Sequence, residues 1–210
     1  PLTTISSTSS AYKVAEKARE ETTIALKKVL INPTRIGFFK IIKKHKGKIF
    51  FKNKRIIGNE VVADVHVKSS NIRPLKVGKK FFVSCQDEFP LMFAMSCLLP
   101  GISIFKGIED LANKESNRIK EMGKILKQIG IKYAASKDEM RIHGNPHLKK
   151  ENKQIIVSGI FDHRILMSAA ILSLLTGINS KLKNFEQVGT SCPNFLSTIF
   201  KLGGRFEREN

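Results

Sequence analysis

The sequence predicts an α/β lobe made of about three repeated units, and two observations lead to that fold class. First, three segments share the order helix, turn, strand, with apolar residues at three- and four-residue intervals before a glycine: residues 38–49, 122–133 and 195–206. Second, short apolar stretches alternate with the helical ones, as strands do in α/β folds. A chain of 210 residues is long enough to bury the core of such a lobe.

A second helix is predicted to begin each unit. Asp87 and Asp162 precede apolar runs that end at Leu99 and Leu175, and both aspartates are of the type that caps a helix N-terminus. Pro90 is tolerated in a first helical turn. Strands are expected between the helices, at residues 102–106, 131–135, 140–143, 155–158 and 179–182.

The beginning of the chain gives a weaker pattern. Residues 6–8 are expected to cap a helix, but its apolar stripe is thin for a core helix. The stripe consists of Ala11, Val14, Ala15 and Ala18. Residues 1–25 are therefore treated as a divergent N-terminal segment, separate from residues 26–210.

The chain is strongly basic, with 37 Lys and Arg against 18 Asp and Glu and a formal charge of +19. Such a field attracts anions, whether nucleic acid, acidic lipid or phosphorylated metabolites. Most of the excess is lysine scattered over predicted helix faces and strand ends, which is usually solvated. The sequence has no apolar run long enough for a membrane span and no secretory signal pattern, so a cytoplasmic location is expected.

Three cysteines, Cys85, Cys97 and Cys192, are widely spaced and form no C-x-x-C pair. Neither a zinc site nor a disulfide framework is predicted. We expect the thiols to behave as small buried apolar groups. A nucleophilic role is the alternative for Cys192, which precedes Pro193 at a predicted helix start.

Two arginines lie at predicted helix starts, where basic residues oppose the helix dipole by about 0.3–1 kcal/mol. Arg35 and Arg164 both occupy such positions in repeated units. Exposed helix N-termini bind anions, so the pair favours a bound anion. From the residues alone, residues 114–118 form an exposed first turn with an intrahelical ion pair, and His163 is a half-buried structural histidine.

Four segments taken together resemble, in order, the signatures of 5-enolpyruvylshikimate-3-phosphate (EPSP) synthases. These are residues 32–35 (N-P-T-R), 87–90 (D-E-F-P), 114–118 (K-E-S-N-R) and 162–164 (D-H-R). Residues 62–67 and 189–193 resemble two further stretches of that family. The D-E-F-P form is closest to one bacterial subclass.

The resemblance implies a fold and a reaction. The family has two lobes, each of three βαβαββ units around a pseudo-threefold axis, with helix N-termini facing the cleft between them. Shikimate 3-phosphate attacks C2 of phosphoenolpyruvate through its 5-hydroxyl while C3 is protonated, and the tetrahedral intermediate loses phosphate. No metal or organic cofactor is expected. Residues 26–210 correspond to the C-terminal enolpyruvyl-transferase lobe, without the N-terminal lobe, so the isolated chain is expected to be inactive.

Two carboxylates match the family's acid–base residues. Asp87 matches the aspartate that binds shikimate hydroxyls and accepts the 5-hydroxyl proton, and Glu115 matches the carboxylate associated with protonation at C3. Acid–base groups placed in this way contribute about 10²–10⁴-fold to a rate.

Four basic side chains match substrate-binding residues. Lys114 matches a lysine that reaches the substrates near the reacting hydroxyl, and His163 lines the same corner. Arg118 and Arg164 match the two arginines that hold phosphoenolpyruvate, whose carboxylate and phosphate suit a planar guanidinium fork.

Four positions depart from the family pattern. Residues 112–113 are Ala-Asn where Arg-Val is usual, Asn117 replaces an aspartate, and Cys192 replaces a phenylalanine.

Two other functions stay open. The sister transferase acting on UDP-N-acetylglucosamine shares the fold, although K-E-S-x-R and D-H-R point away from it. A non-catalytic, basic anion- or nucleic-acid-binding fragment is the second alternative. The absence of tryptophan and of a basic-aromatic stripe in the sequence argues against it.

Overall fold

Three separate sheets with helices packed against them make up the computed structural model, which describes residues 2–7, 23–201 and 204–209. Within these ranges, no helix has the length and apolar character needed to cross a bilayer. Most of the helix expected after residues 6–8 lies outside the described residues, and residues 6–7 themselves end strand β1 (Leu2–Ser7).

The first unit is an antiparallel three-stranded sheet with one helix. It comprises β2 (Thr23–Leu30), α1 (Gly37–Lys44), β3 (Lys48–Ile57) and β4 (Glu60–Lys68), and the strand order is β2-β4-β3. Strands β3 and β4 are joined by residues 58–59, Gly-Asn, both of which have positive φ. That geometry is typical of a two-residue hairpin turn.

The second unit runs in the order strand, helix, strand, helix, strand, strand, with α2 and α3 together in the first helical position. Its elements are β5 (Lys76–Val77), α2 (Phe82–Cys85), α3 (Phe89–Ser96), β6 (Gly101–Lys106), α4 (Arg118–Gln128), β7 (Tyr133–Ala135) and β8 (Glu139–Gly144). Its sheet has the order β5-β6-β8-β7. The pairings are parallel, antiparallel and antiparallel.

The third unit has the same sheet topology, completed by a strand from the beginning of the chain. Its elements are β9 (Ile155–Val157), α5 (His163–Thr176), β10 (Ser180–Lys183), α6 (Gln187–Ser191), α7 (Phe195–Lys201) and β11 (Gly204–Glu209). The strand order is β9-β10-β1-β11, with parallel, antiparallel and antiparallel pairings. Strand β1 thus takes the place that β8 has in the second unit. In the first unit, the order β2-β4-β3 corresponds to the last three strands, β6-β8-β7, of the sheet of the second unit.

The core consists of apolar helices enclosed by the sheets. Helices α3 and α5 pack against each other. Helix α3 is almost entirely apolar and α5 is mostly apolar after its first turn, because both are buried around most of their circumference. Phe93 of α3 meets Phe105 of β6 edge to face, with ring centroids 4.8 Å apart. Burying each such side chain contributes about 1.5–3 kcal/mol. This packing fixes the N-termini of α3 and α5 relative to each other.

The glycine that follows the repeated helix is displaced in the first unit. Gly130 has a φ of +73° after α4, but the equivalent left-handed residue after α1 is Lys46, with a φ of +75°. Gly47 comes next, and a Cβ there would lie 2.3 Å from the Cγ2 of Ile42. The first unit therefore needs glycine for close packing at position 47. Lys46 takes the left-handed conformation at a cost of roughly 1–2 kcal/mol.

Asp64 ties both edge strands of the first sheet to its central strand. Strand β2 has a bulge opposite Asp64, and strand β3 has a bulge opposite its neighbour Ala63. The Asp64 carboxylate accepts hydrogen bonds from Asn53 Nδ2 (2.9 Å), the Lys28 amide (3.0 Å) and Lys27 Nζ (3.3 Å). Arg55 Nη2 lies 3.8 Å away. The hydrogen bonds from Asn53 and the Lys28 amide hold the pKa of Asp64 well below its usual range, against the opposing effect of burial.

The fold confirms the predicted repeat and the predicted α/β class. The five strands expected between residues 102 and 182 are present with ends shifted by one or two residues, and the helix expected to end at Leu99 ends at Ser96. Four strands, β1, β2, β4 and β5, were not predicted, and the repeat predicted only the beginnings of β3 and β11. Cys85 and Cys97 are buried free thiols, and burial raises the pKa of each to about 12.

Candidate active site at the starts of three helices

The N-termini of α4 and α5 meet the tight turn that precedes α3. Asp162 is the N-cap of α5, and its Oδ1 accepts the Arg164 amide at 2.9 Å. Asn117 is the N-cap of α4, and its Oδ1 accepts the Lys120 amide at 3.0 Å. Asparagine caps a helix about as well as aspartate, so the departure from the family pattern at position 117 leaves the cap intact.

A buried arginine lies at the centre of the site. The Arg118 side chain is only 1% exposed and contacts three carboxylates. Its Nε lies 2.9 Å from Asp162 Oδ2, its Nη1 lies 3.2 Å from Asp87 Oδ1, and its Nη2 lies 2.5 Å from Glu115 Oε2. Burial would lower the pKa of Arg118, but the hydrogen bond and charge of Asp162, with the other two carboxylates, raise it. The guanidinium therefore fixes the three acids around itself.

Asp162 is the innermost of these acids, and its side chain is fully buried. Burial would raise the pKa of Asp162, but the hydrogen bond and charge of Arg118 outweigh that effect. The Ser116 hydroxyl, 2.9 Å from Asp162 Oδ2, and the Arg164 amide lower the pKa further. Asp162 therefore stays ionised, and it links the starts of α4 and α5.

Asp87 is not the helix cap that the sequence predicted. Glu88 occupies the N-cap position of α3 without a side-chain hydrogen bond, and Asp87 lies in the turn before it. The Asp87 carboxylate instead bridges two arginines, with Oδ2 3.4 Å from Arg164 Nη2 and Oδ1 against Arg118. Burial and the charge of Asp87 raise the pKa of Glu88, against the effect of Arg164 and Arg35.

Arg164 has a hydrogen-bond donor that the protein leaves unused. Its Nε is one of two buried side-chain polar atoms, with Glu109 Oε2, that have no hydrogen-bond partner in the described part of the chain. Buried polar groups in native proteins are nearly always paired, because leaving one unpaired costs about 1–3 kcal/mol. An acceptor supplied by a ligand would satisfy this guanidinium N–H.

The remaining predicted residues surround this cluster. Lys114 Nζ donates to Gln86 Oε1 at 2.7 Å, which places Lys114 beside the turn that contains Asp87. His163 is the first residue of α5 and is half-buried. Arg35 was expected in a first helical turn, but α1 begins two residues later, and Arg35 lines a small recess with residues 83–88.

Gln86 carried no signal in the sequence, and Ser116 stood out only as part of the family motif at residues 114–118. Gln86 and Ser116 are neutral side chains, and their partners Lys114 and Asp162 are 28 and 46 residues away along the chain. Asp162 was predicted as a helix cap and as part of the motif at residues 162–164, but not as the partner of Arg118. The pairing of these residues follows from the meeting of helix starts, which no local pattern encodes.

The arrangement combines acid–base groups with anion-binding groups. Asp87 and Glu115 are two partly exposed carboxylates, with side chains 31% and 51% accessible, that share one guanidinium. Arg164 and Lys114 add cationic donors at the same place. Guanidinium forks bind carboxylate and phosphate groups well, so the site can hold a small anion beside two groups that exchange protons.

The three-unit fold is that of an enolpyruvyl-transferase lobe. An enolpyruvyl transferase from Streptomyces tendae superposes with a TM-score of 0.64 over 94% of this chain and 43% of that protein, and at 12% identity it shows the fold alone. EPSP synthase from Acinetobacter baumannii superposes with a TM-score of 0.80 at 28% identity, over 95% of this chain and 46% of that protein.

The family model for EPSP synthase (3-phosphoshikimate 1-carboxyvinyltransferase) matches residues 5–199, and the chain belongs to this family. Relatives named 3-phosphoshikimate 1-carboxyvinyltransferase include one from Thermoanaerobacter sp., 34% identical over 92% of this chain and 45% of the relative. Another, from Sulfurihydrogenibium sp., is 36% identical over 85% of this chain and 41% of the relative. The chain thus spans less than half the length of these curated relatives.

Proposed function

We propose that this chain supplies one lobe of an enzyme that transfers the enolpyruvyl group of phosphoenolpyruvate to the 5-hydroxyl of shikimate 3-phosphate and releases phosphate. Membership of the EPSP synthase family supports the reaction. The observation that carries the assignment to these residues is the contact of Arg118 and Arg164 with Asp87, next to the unpaired Arg164 Nε. Both substrates are anions, and the site is built from guanidinium groups and carboxylates.

Asp87 is proposed to accept the proton of the attacking hydroxyl. Its two carboxylate oxygens contact different arginines, Arg118 at 3.2 Å and Arg164 at 3.4 Å. Two contacts fix the orientation of the carboxylate, which a general base needs to meet a hydroxyl at hydrogen-bond distance. The remaining lone pairs of both oxygens are available to a substrate hydroxyl.

Glu115 is proposed to serve protonation at C3. It is the most exposed of the three acids around Arg118, with 51% of its side chain accessible, whereas Asp162 is fully buried. An anion that binds Arg118 would therefore displace Glu115 rather than Asp162, since the buried acid also caps α5. Binding of phosphoenolpyruvate would then free the Glu115 carboxyl to exchange a proton with the substrate.

The anionic groups of phosphoenolpyruvate are proposed to bind the cations of the cluster. Arg164 offers its unpaired Nε, Lys114 offers ammonium donors beyond the one that Gln86 accepts, and Arg118 offers the donor that Glu115 releases. His163, next to Arg164 in the chain, lines the same place. Charge-assisted hydrogen bonds of this kind are roughly twice as strong as neutral ones.

A second lobe is proposed to complete the substrate site, because the relatives are more than twice as long as the segment that they share with this chain. We expect no phosphate release by the isolated chain supplied with both substrates. A chimera that joins the other part of the Thermoanaerobacter relative to this chain should release phosphate with shikimate 3-phosphate, and not with UDP-N-acetylglucosamine as acceptor.

Site variants of the chimera test the residue assignment. Asp87→Ala and Arg118→Ala should abolish phosphate release, with the folding of each chimera checked by circular dichroism. Asp110→Asn, which changes an exposed carboxylate outside the cluster, should leave the rate unchanged. Full activity in a folded Asp87→Ala chimera would refute the assignment of the general base. Turnover by the isolated chain would refute the need for a second lobe.

A further inference from the structure

Gln86 holds the ammonium of Lys114 at short distance. The Gln86 Oε1 accepts a hydrogen bond from Lys114 Nζ at 2.7 Å, and both side chains are partly buried. Gln86 begins the tight turn of residues 86–88, so it directly precedes Asp87. The turn is anchored by buried side chains on both sides, Cys85 and Phe89. One rigid turn thus orients Lys114 through an amide and two arginines through a carboxylate.

The neutral amide has an electrostatic consequence. Arg118 is surrounded by three carboxylates, which offset its positive charge. Gln86 contributes a carbonyl dipole and no net charge, so Lys114 is oriented while its full positive charge remains available. An ammonium has three N–H donors, and Gln86 accepts one of them.

We propose that Gln86 is a positioning residue, which fixes the Lys114 ammonium beside Asp87 with its charge undiminished for an anionic substrate. The inference rests on the proposed function, because it assigns to Lys114 a contact with the substrates. It adds that the chemical type of residue 86 matters. An apolar residue would leave the lysine side chain unrestrained, and an acidic residue would hold it but offset its charge.

Titration of the isotope-labelled chain with phosphoenolpyruvate, followed by NMR, measures the effect without requiring turnover. A hydrogen bond to a charged group is stronger than a neutral one, but this one is partly exposed. Gln86→Leu should therefore weaken binding by about fivefold. Gln86→Glu should weaken it more at low salt, and that excess loss should shrink as salt screens the added charge. Melting temperatures should stay near that of the unmodified chain.

A double-mutant cycle separates positioning from a general packing effect. If Gln86 acts through Lys114, Gln86→Leu should have no further effect in a Lys114→Met background. Additive losses, or unchanged binding by Gln86→Leu, would overturn the proposal while the proposed function stands. The proposed function is contradicted instead if the Arg164→Gln variant binds phosphoenolpyruvate as tightly as the unmodified chain does. The role proposed for Gln86 is then contradicted as well, because it depends on that function.

Discussion

Two charged clusters in this lobe are built from similar parts and differ in how completely those parts are paired. In the first sheet, the single carboxylate of Asp64 is surrounded by donors from Asn53, Lys28, Lys27 and Arg55. At the helix starts, the single guanidinium of Arg118 is surrounded by three carboxylates. The first cluster is closed, since its donors converge on one buried acid. The second is open, with an unpaired Arg164 Nε and a half-exposed Glu115.

The difference indicates which cluster serves stability and which serves binding. The buried carboxylate at the centre of the closed cluster already has its donors within the protein, so it needs no external ion. An open cluster retains unsatisfied donors and exchangeable ion pairs, which an anionic ligand can use. Charge alone does not make this distinction, because the Asp64 cluster lies among more lysines than the Arg118 cluster does.

Arg118→Met should cause the largest loss of stability. It leaves Asp162 buried without its main partner and removes the link among three helix starts, which costs about 3 kcal/mol. For a chain of this size, the melting temperature should fall by roughly 6–12 °C. Arg141→Met, which removes an exposed arginine paired with Glu139, is the matched control and should change the stability by at most about 0.5 kcal/mol. Equal effects of the two variants would contradict the central role of Arg118.

Asp64→Asn should cause a smaller loss and should change its pH dependence. The pKa of Asp64 in the folded chain lies below the unfolded value of about 3.9. Its contribution is therefore fully present above that value and is lost as the pH falls toward the folded pKa. Thermal melts between pH 7 and pH 3 should show a flatter decline for Asp64→Asn. Phosphoenolpyruvate binding should be unchanged. A loss of binding by Asp64→Asn would contradict the assignment of the Asp64 cluster to stability alone.

Ser116→Ala should cause a still smaller loss of stability, because it affects only the cluster around Arg118. It removes one of the hydrogen bonds that Asp162 accepts, while Arg118 and the Arg164 amide remain as donors. The expected loss is about 1 kcal/mol in the free energy of unfolding, measured by urea denaturation. Ser136→Ala, on an exposed turn, is the control. A loss as large as that of Arg118→Met would mean that the hydroxyl, rather than the guanidinium, keeps Asp162 ionised.

The sequence could predict those parts of the molecule in which local patterns are strong. Helical periodicity and capping residues predicted α4 and α5. Strand β2 was not predicted and β3 only at its beginning, because the bulges at Lys28 and Asn53 break the alternation of apolar residues. Strand β1 was missed because its partners β10 and β11 lie at the other end of the chain.

In the candidate site too, local motifs could be predicted and contacts between distant residues could not. Matching motifs indicated Asp87, Glu115 and Arg118, but the cap predicted for Asp87 was wrong, because two arginines from other helices compete for its carboxylate. The contact of Lys114 with Gln86 depends on tertiary packing and had no local signal. The domain boundary at residue 25 and the roles of the site residues stay predictions.

The most direct measurement is an NMR titration of the labelled chain with phosphoenolpyruvate that follows the arginine Nε–H resonances. Arg164→Gln should change the stability much less than Arg118→Met does, since its contact with Asp87 is long and partly exposed, yet it should remove most of the binding. We predict that the Arg164 Nε–H resonance shifts on titration while that of Arg55, in the closed cluster, does not. A shift at Arg55 with an unmoved Arg164 would contradict the account.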